Sequence, residues 1–375
     1  MSTEFDWDPN LVTVANTSVP DSWKVCVIDG VFYGGNDYSG QLGARISSIF
    51  VILFVSTGFT VFPVIARKVP KLRIPEYVYI VARNFGTGVI VATAFVHLMD
   101  PAYGEIGPNT CVGMTGPWAV YSWVPAIILV TIFFIFGLDL LSSVYVERKY
   151  GIKYETDIIT DAIIKPHSTS QPDPYHTNEN QQSAVNHTSV QTPPEKSSEI
   201  DEVSIDEGKV LYDFEAQIAA FLILEFGVIF HSVTIGLNLG ACGSEFKTLY
   251  PVLIFHQSFE GLGIGSRLSV IPFPKEKWWW PWALCIAYGL TTPVCVAIGL
   301  GFRTTYNSNS YTANIVQGVL DSISAGVLIY TALVELIARD FIFNPQRTKS
   351  IPKLLFQLGC LCAGTGLMAL LGKWA

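Results

Sequence analysis

The chain has 375 residues, a mean hydropathy of +0.39, 50% hydrophobic residues and only 14% charged ones. Soluble domains average about 25% charged, so the composition excludes an ordinary water-soluble enzyme and a disordered chain alike. The net charge of -8 sits in one place: from Glu147 to Glu215 there are six basic and fourteen acidic side chains, and the remainder balances. No basic face interleaved with aromatics is present, which argues against a nucleic-acid partner.

A bilayer crossing needs about 20 mostly apolar residues. Eight segments meet that need: Ile46–Ala66, Tyr77–Met99, Tyr121–Val146, Ala216–Gly240, Leu249–Ile271, Trp280–Phe302, Ala313–Ala338 and Leu354–Gly372. The pattern predicts an all-α polytopic membrane protein. An acidic extracellular segment (1–45) leads into helices 1–3 (46–146). A flexible acidic cytoplasmic loop (147–215), helices 4–8 (216–372) and a short extracellular end (373–375) follow. The opening lacks the pattern of a cleaved signal peptide, so none is expected.

Basic residues orient the spans. Arg67, Lys68, Lys71 and Arg73 fill the first loop, whereas the second, from Asp100 to Ser122, has no Lys or Arg. Arg148, Lys149 and Lys153 follow span three, Arg267, Lys275 and Lys277 follow span five, and Arg339, Arg347, Lys349 and Lys353 fill the last loop. The alternation places both termini outside. Trp278–Trp280 and Trp282 then mark the inner interface, and Asn16 of Asn-Thr-Ser is a glycosylation candidate. Cys26 and Cys111 both fall outside and form a candidate disulfide, although spacing alone does not set connectivity. Cys285, Cys295, Cys360 and Cys362 lie in apolar runs and read as packing. The segment from Tyr154 to Asp213 is too polar to bury a core, and its His167, His176 and His187 do not converge on one site.

Ionisable groups inside a span are costly and mark a pathway or ligand by default. Span four carries Glu225 and His231; span five carries His256-Gln-Ser-Phe-Glu260. His256 and Glu260, at i and i+4, share a helix face. Two imidazoles and a carboxylate from adjacent helices suit Zn²⁺ and leave a position for water. The structural alternative is a His–Glu hydrogen bond that pins two helices. Ser232 and Gln257, next to the histidines in the chain, are candidates for auxiliary ligands or for orienting groups. His97 with Asp100, Asp139, Glu225, Asp321 and Glu335 are candidates for the pathway, each with a helix–helix hydrogen bond or snorkelling as its alternative.

With His231-Ser-Val-Thr-Ile-Gly236 and His256-Gln-Ser-Phe-Glu260-Gly261 both present, the chain resembles the ZIP family of zinc- and iron-transporter-like proteins over nearly its whole length. Gly88-Val-Ile-Val-Ala-Thr-Ala-Phe-Val-His97-Leu-Met-Asp100 and Leu333-Val-Glu335-Leu-Ile-Ala-Arg-Asp340-Phe add to the likeness, which is nearest to the fungal plasma-membrane carriers of the high-affinity type. The resemblance implies a 3+2+3 bundle in which the first and last three helices are inverted repeats around helices 4 and 5. It makes His231, His256 and Glu260 the metal ligands. Ser232 and Gln257 stand where some members touch a second ion. Ile235 stands where two-metal members have a carboxylate, so one well-formed site is expected.

The expected function is Zn²⁺ uptake into the cytoplasm by alternating access, with no cofactor beyond the transported metal. A broader Fe²⁺ and Mn²⁺ importer of the same family is the alternative substrate reading. An intramembrane zinc hydrolase is disfavoured because H-E-x-x-H is absent and spans six to eight hold no histidine. A non-transporting metal sensor is the third class. Expected partners are the divalent ion and the lipid bilayer. A homodimer, and endocytic machinery that attaches ubiquitin to lysines such as Lys165, Lys196 and Lys209, are further expectations without a sequence signal of their own.

Overall fold

In the computed structural model, residues 15, 17–31, 38–69, 75–150, 198–305, 307, 309–344 and 347–373 are described. The sequon at Asn16 and the loop histidines His167, His176 and His187 lie outside these residues, as do Lys165 and Lys196. Among the described residues there are helices and no strands. A short α1 (Asp21–Ile28) precedes the long α2 (Leu42–Lys68). Next comes α3 (Glu76–Ala92), which passes through a π-helical stretch, Thr93–Met99, into α4 (Asp100–Ile106). The long helices that follow are α5 (Trp123–Tyr150), α6 (Ser198–Ala241), α7 (Phe246–Leu268) and α8 (Trp280–Phe302). Finally α9 (Tyr311–Tyr330) runs into a second π-helical stretch, Thr331–Phe343, before α10 (Ile351–Leu371). Helix α6 begins at Ser198, so its first part lies in the segment that composition reads as loop.

Seven of these helical stretches are long and apolar enough to cross a membrane, so the chain is a multi-pass membrane protein. Helix α7 is the exception, and length is not the reason: its 23 residues extend about 34 Å at 1.5 Å per residue, more than the roughly 30 Å of a hydrocarbon core. Its apolar run is broken by His256, Gln257, Ser258 and Glu260, all buried. The helix that is least apolar is thus the one that the bundle shields. In contrast, α5 turns Val130, Phe133, Phe134 and Leu141 outward, as a helix facing lipid would.

The packing has an internal order. Helix α2 packs on α7 as α8 packs on α6; α3 packs on α7 as α9 packs on α6; α3 packs on α10 as α9 packs on α5. Exchanging α2 with α8, α3 with α9, α5 with α10 and α6 with α7 therefore maps this pattern onto itself. The two π-helical stretches follow the exchanged helices α3 and α9. Small residues permit the closest crossings, as is usual between membrane helices. A methyl group on Gly263 of α7 would come within 2.9 Å of Gly86 Cα on α3, and one on Gly236 of α6 within 2.7 Å of Cys295 Cβ on α8.

The end of the bundle where α6 stops is tied twice. Cys26 of α1 is disulfide-bonded to Cys111 in the segment after α4. Arg45, fully buried near the start of α2, donates from Nη1 to the carbonyls of Leu239 (2.9 Å) and Gly240 (3.1 Å). Its Nη2 donates to the carbonyls of Cys242 (2.5 Å) and Gly243 (3.4 Å). Leu239 and Gly240 are among the acceptors that the helix end leaves without intrahelical donors, and a cation there also opposes the negative end of the helix dipole. The guanidinium lies over the Phe246 ring, 4.4 Å from its centroid.

Candidate metal centre

The centre lies where α6 and α7 meet. On α6, His231 is 2% exposed; on α7, His256 is 1% and Glu260 0% exposed. His231 Nε2 and His256 Nε2 are 3.1 Å apart, and His256 Nε2 lies 3.8 Å from Glu260 Oε2. One ligand atom from each of the three falls within 4.8 Å of the others. Two ligands at about 2.0–2.1 Å from a tetrahedral Zn²⁺ would be about 3.3 Å apart, a spacing that the two measured distances bracket. The i, i+4 pair on one helix and the single imidazole on the other thus converge.

Several polar atoms around this point have no hydrogen-bond partner among the described residues: Nδ1 of both histidines, Ser232 Oγ, Gln257 Nε2 and Glu260 Oε1. Buried polar groups are normally satisfied, and a cluster of exceptions calls for a cause. A pin that merely joined two helices would satisfy them. An ion among the histidines and Glu260 would supply the missing partners.

The fixed part of the shell comes from α8. Tyr288, buried, donates to Glu260 Oε2 (3.2 Å) and to Gln257 Oε1 (3.0 Å), and Ser56 of α2 reaches the same Gln257 oxygen at 3.4 Å. Tyr288 sits in a span that reads as featureless apolar sequence; its one signal is a hydroxyl on the face that also carries Cys285 and Thr292. Ile235, half-buried, packs against the apolar cluster that includes Leu239, Leu253 and Val296, so its surroundings are hydrocarbon.

His97 and Asp100 part company. His97 is buried in the π-helical stretch, its ring edge-to-face with that of His256 at 4.9 Å between centroids and its Nε2 3.1 Å from the Met368 carbonyl. Asp100 is exposed. π-helical turns recur at functional sites, and here one delivers a third imidazole beside the ligands. Asp321 accepts from Thr234 Oγ1 (3.1 Å), which itself follows His231 by three residues. Asp139 accepts from Tyr330 (2.8 Å) and Glu335 from Arg339 (2.7 Å), so these two take the helix–helix and local-pair roles. Glu225 is buried near Glu260 with neither oxygen partnered.

Away from the centre, where α3 begins and α7 and the π-helical stretch after α9 end, lies an ion cluster that composition alone did not reveal. Asp340 accepts a hydrogen bond from Arg83 and has Arg267 at 3.9 Å; Arg267 also donates to Thr87 (2.7 Å). A cavity of about 850 Å³ opens beside it, lined by Arg83, Asn84, Ser266 and Asp340 among others. On the Arg45 side a second cavity, of about 730 Å³, is lined by Glu105, Asn238, Glu245 and Gln317 among others.

A helical membrane bundle with a His-His-Glu constellation buried on two adjacent helices defines a metal-handling membrane protein. Residues 42–372 match the pattern of the family described as ZIP Zinc transporter, and the chain belongs to that family, which consists of transporters rather than enzymes. It is 61% identical to Zinc-regulated transporter 1 of Saccharomyces cerevisiae, over 98% of this chain and 97% of that one. It is 40% identical to Zinc-regulated transporter 1 of Schizosaccharomyces pombe, over 91% of this chain and 87% of that one. Identity to Zinc-regulated transporter 2 of Saccharomyces cerevisiae is 34%, over 91% and 96% respectively.

Proposed function

We propose that this protein carries Zn²⁺ from outside the cell across the plasma membrane into the cytoplasm, by alternating access at His231, His256 and Glu260. The observation that carries this reading is the convergence of those three ligand atoms within 4.8 Å on two buried helices. In this reading α7 is an eighth crossing, held inside the bundle, and both termini face outside. The names of the similar fungal proteins supply the metal and agree with the ligand chemistry, since imidazole and carboxylate both serve Zn²⁺.

Zn²⁺ approaches through the cavity lined by Glu105 and Glu245, exchanges part of its water shell for two Nε2 atoms and a Glu260 oxygen, and leaves toward the cavity beside Arg83 and Asp340. Tyr288 holds Glu260 in place, and His97 stands ready to complete the shell. An inside-negative potential contributes about 4.6 kcal/mol per 100 mV for a divalent ion. Occupancy requires neutral imidazoles and an ionised carboxylate, so uptake falls as the medium is acidified.

The test is radiolabelled zinc uptake, with competing Fe²⁺, Mn²⁺ and Cd²⁺, in cells lacking their own zinc carriers. Surface-delivered His231→Ala, His256→Ala and Glu260→Ala should carry no zinc above background. Parental uptake by all three would sink the proposal, and stronger competition by Fe²⁺ or Mn²⁺ than by Zn²⁺ would replace zinc as the preferred substrate.

A further inference from the structure

Glu225 is the carboxylate for which the three-ligand centre has no use. It is 5% exposed on α6, and neither oxygen finds a partner among the described residues. Burying such a group without donors costs several kcal/mol in the charged form and still leaves unmet hydrogen bonds in the neutral one. No described residue relieves it.

Its position along the bundle gives it a purpose. Ser232 follows Glu225 by seven residues, close to two full turns, so the two share one face of α6. Helix α8 runs alongside α6 in the same direction, since Gly236 meets Thr292 and Cys295 while Gly240 meets Val296 and Leu300. Helix α7 runs the other way, and Glu260 lies one turn beyond His256 toward the Arg267 end. Moving from the histidines toward the start of the α6 span, the polar groups come in order: Glu260 with Tyr288, then Glu225. Glu225 lies within electrostatic reach of Glu260, Tyr288 and Cys285. Glu260 Oε1, fully buried and unpartnered like both oxygens of Glu225, belongs to the residue that the two positions would share.

We propose that Glu225 and Glu260 bound a second divalent-cation position, one step from the histidines toward the start of the α6 span, which receives the ion through carboxylate oxygens as the imidazoles let it go. It lies on the opposite side of the centre from Ile235, so it is not the place where a two-metal centre would be completed from that residue. Glu260 bridges the two positions, with Oε2 toward the histidines and Oε1 free for the second, so both hold an ion at saturating zinc and an ion passing between them never sheds all protein ligands. Oxygen ligands alone hold Zn²⁺ less selectively than imidazoles do, which suits a release step rather than a recognition step. The proposal rests on reading the His231, His256 and Glu260 centre as the transport site.

The experiment uses the full chain in lipid nanodiscs. Zinc binding is counted by equilibrium dialysis with radiolabelled Zn²⁺ for the parent, Glu225→Gln and the His231→Ala, His256→Ala double variant. Glu225→Gln should bind one equivalent fewer than the parent while X-ray absorption still shows imidazole ligation, and its maximal uptake rate should fall about tenfold with the half-saturating concentration near the parent's. An unchanged stoichiometry in Glu225→Gln overturns the proposal. Should that variant fail to fold, Glu225→Asp keeps the charge on a shorter arm: at least tenfold weaker binding of one equivalent supports the proposal, and unchanged binding overturns it. Parental uptake by the double-histidine variant would overturn the transport reading itself, a result distinct from either.

Discussion

Carboxylates occupy opposite conditions in two regions of this bundle. Around Arg267, every acid has a cation: Asp340 takes Arg83 and Arg267, and Glu335 takes Arg339. Between α6 and α7, Glu225 has no partner among the described residues and Glu260 leaves one oxygen bare. The first arrangement is what structure requires, because a buried charge without its partner is destabilising. The second is what the proposed metal centre accounts for, a cation supplying the missing partner. In the proposed reading, pairing rather than residue type or depth is what sets the carboxylates of these two regions apart.

The sharpest way to break this contrast is to remove the site. His256→Ala and Glu260→Ala should lower zinc uptake at least a hundredfold, yet leave the metal-free melting temperature of the purified protein within a few degrees of the parent's, since little native bonding is lost. Collapse of the metal-free fold would mean that these groups hold the bundle together after all. The converse change is Arg267→Ala, which takes a half-buried cation from Asp340 and Thr87 while Arg83 stays, and should cost about 1–3 kcal/mol of stability, read as a fall in melting temperature. Zinc affinity at the site, measured by calorimetry on the folded fraction, should move less than about threefold.

Metal itself sharpens the comparison. At one hundred times its dissociation constant, Zn²⁺ should stabilise the parent by about 2.7 kcal/mol and should leave the triple alanine variant of His231, His256 and Glu260 unaffected in a thermal-shift assay. Tyr288→Phe removes the hydroxyl that braces Glu260 and Gln257, and should weaken zinc binding about tenfold, the lower end for loss of a group that orients a ligand. The smallest effect belongs to Asp139→Asn. It retains an acceptor for Tyr330 and should change stability by less than about 1 kcal/mol, with uptake at the parental rate; a strong loss of uptake would move Asp139 from scaffold to pathway.

Much of this was legible from the chain itself. Span lengths follow from hydrocarbon thickness, and His256 with Glu260 announces a shared face through i, i+4 spacing. The convergence of His231 on that face, by contrast, depends on how α6 and α7 cross, which the chain states only through resemblance. The paired and unpaired acids look alike as letters: Asp139 and Glu225 are both single carboxylates in apolar runs, and only the helix opposite, Tyr330 or nothing, tells them apart. Tyr288 and Arg45 were invisible for the same reason. His97 and Asp100 are three apart, which in an α-helix brings them to one face, but the π-helical stretch widens the turn, burying one and exposing the other. Helix α7 read as one more span and is set apart by its polarity, which the bundle conceals from lipid.

Arg45 carries a consequence for how the molecule moves. Its forked head holds four carbonyls at the far tip of α6, so prying α2 from α6 there would take its donors from all four at once, with the Phe246 N–H left on that of Gly243. A lysine could not substitute, having one point charge where a planar fork of directed donors is needed. Arg45 thus fastens α2 to α6 at this end of the bundle, as Arg267 of α7 fastens α3 through Thr87 beside the Gly86–Gly263 crossing, so each long polar side chain marks a seam that resists parting.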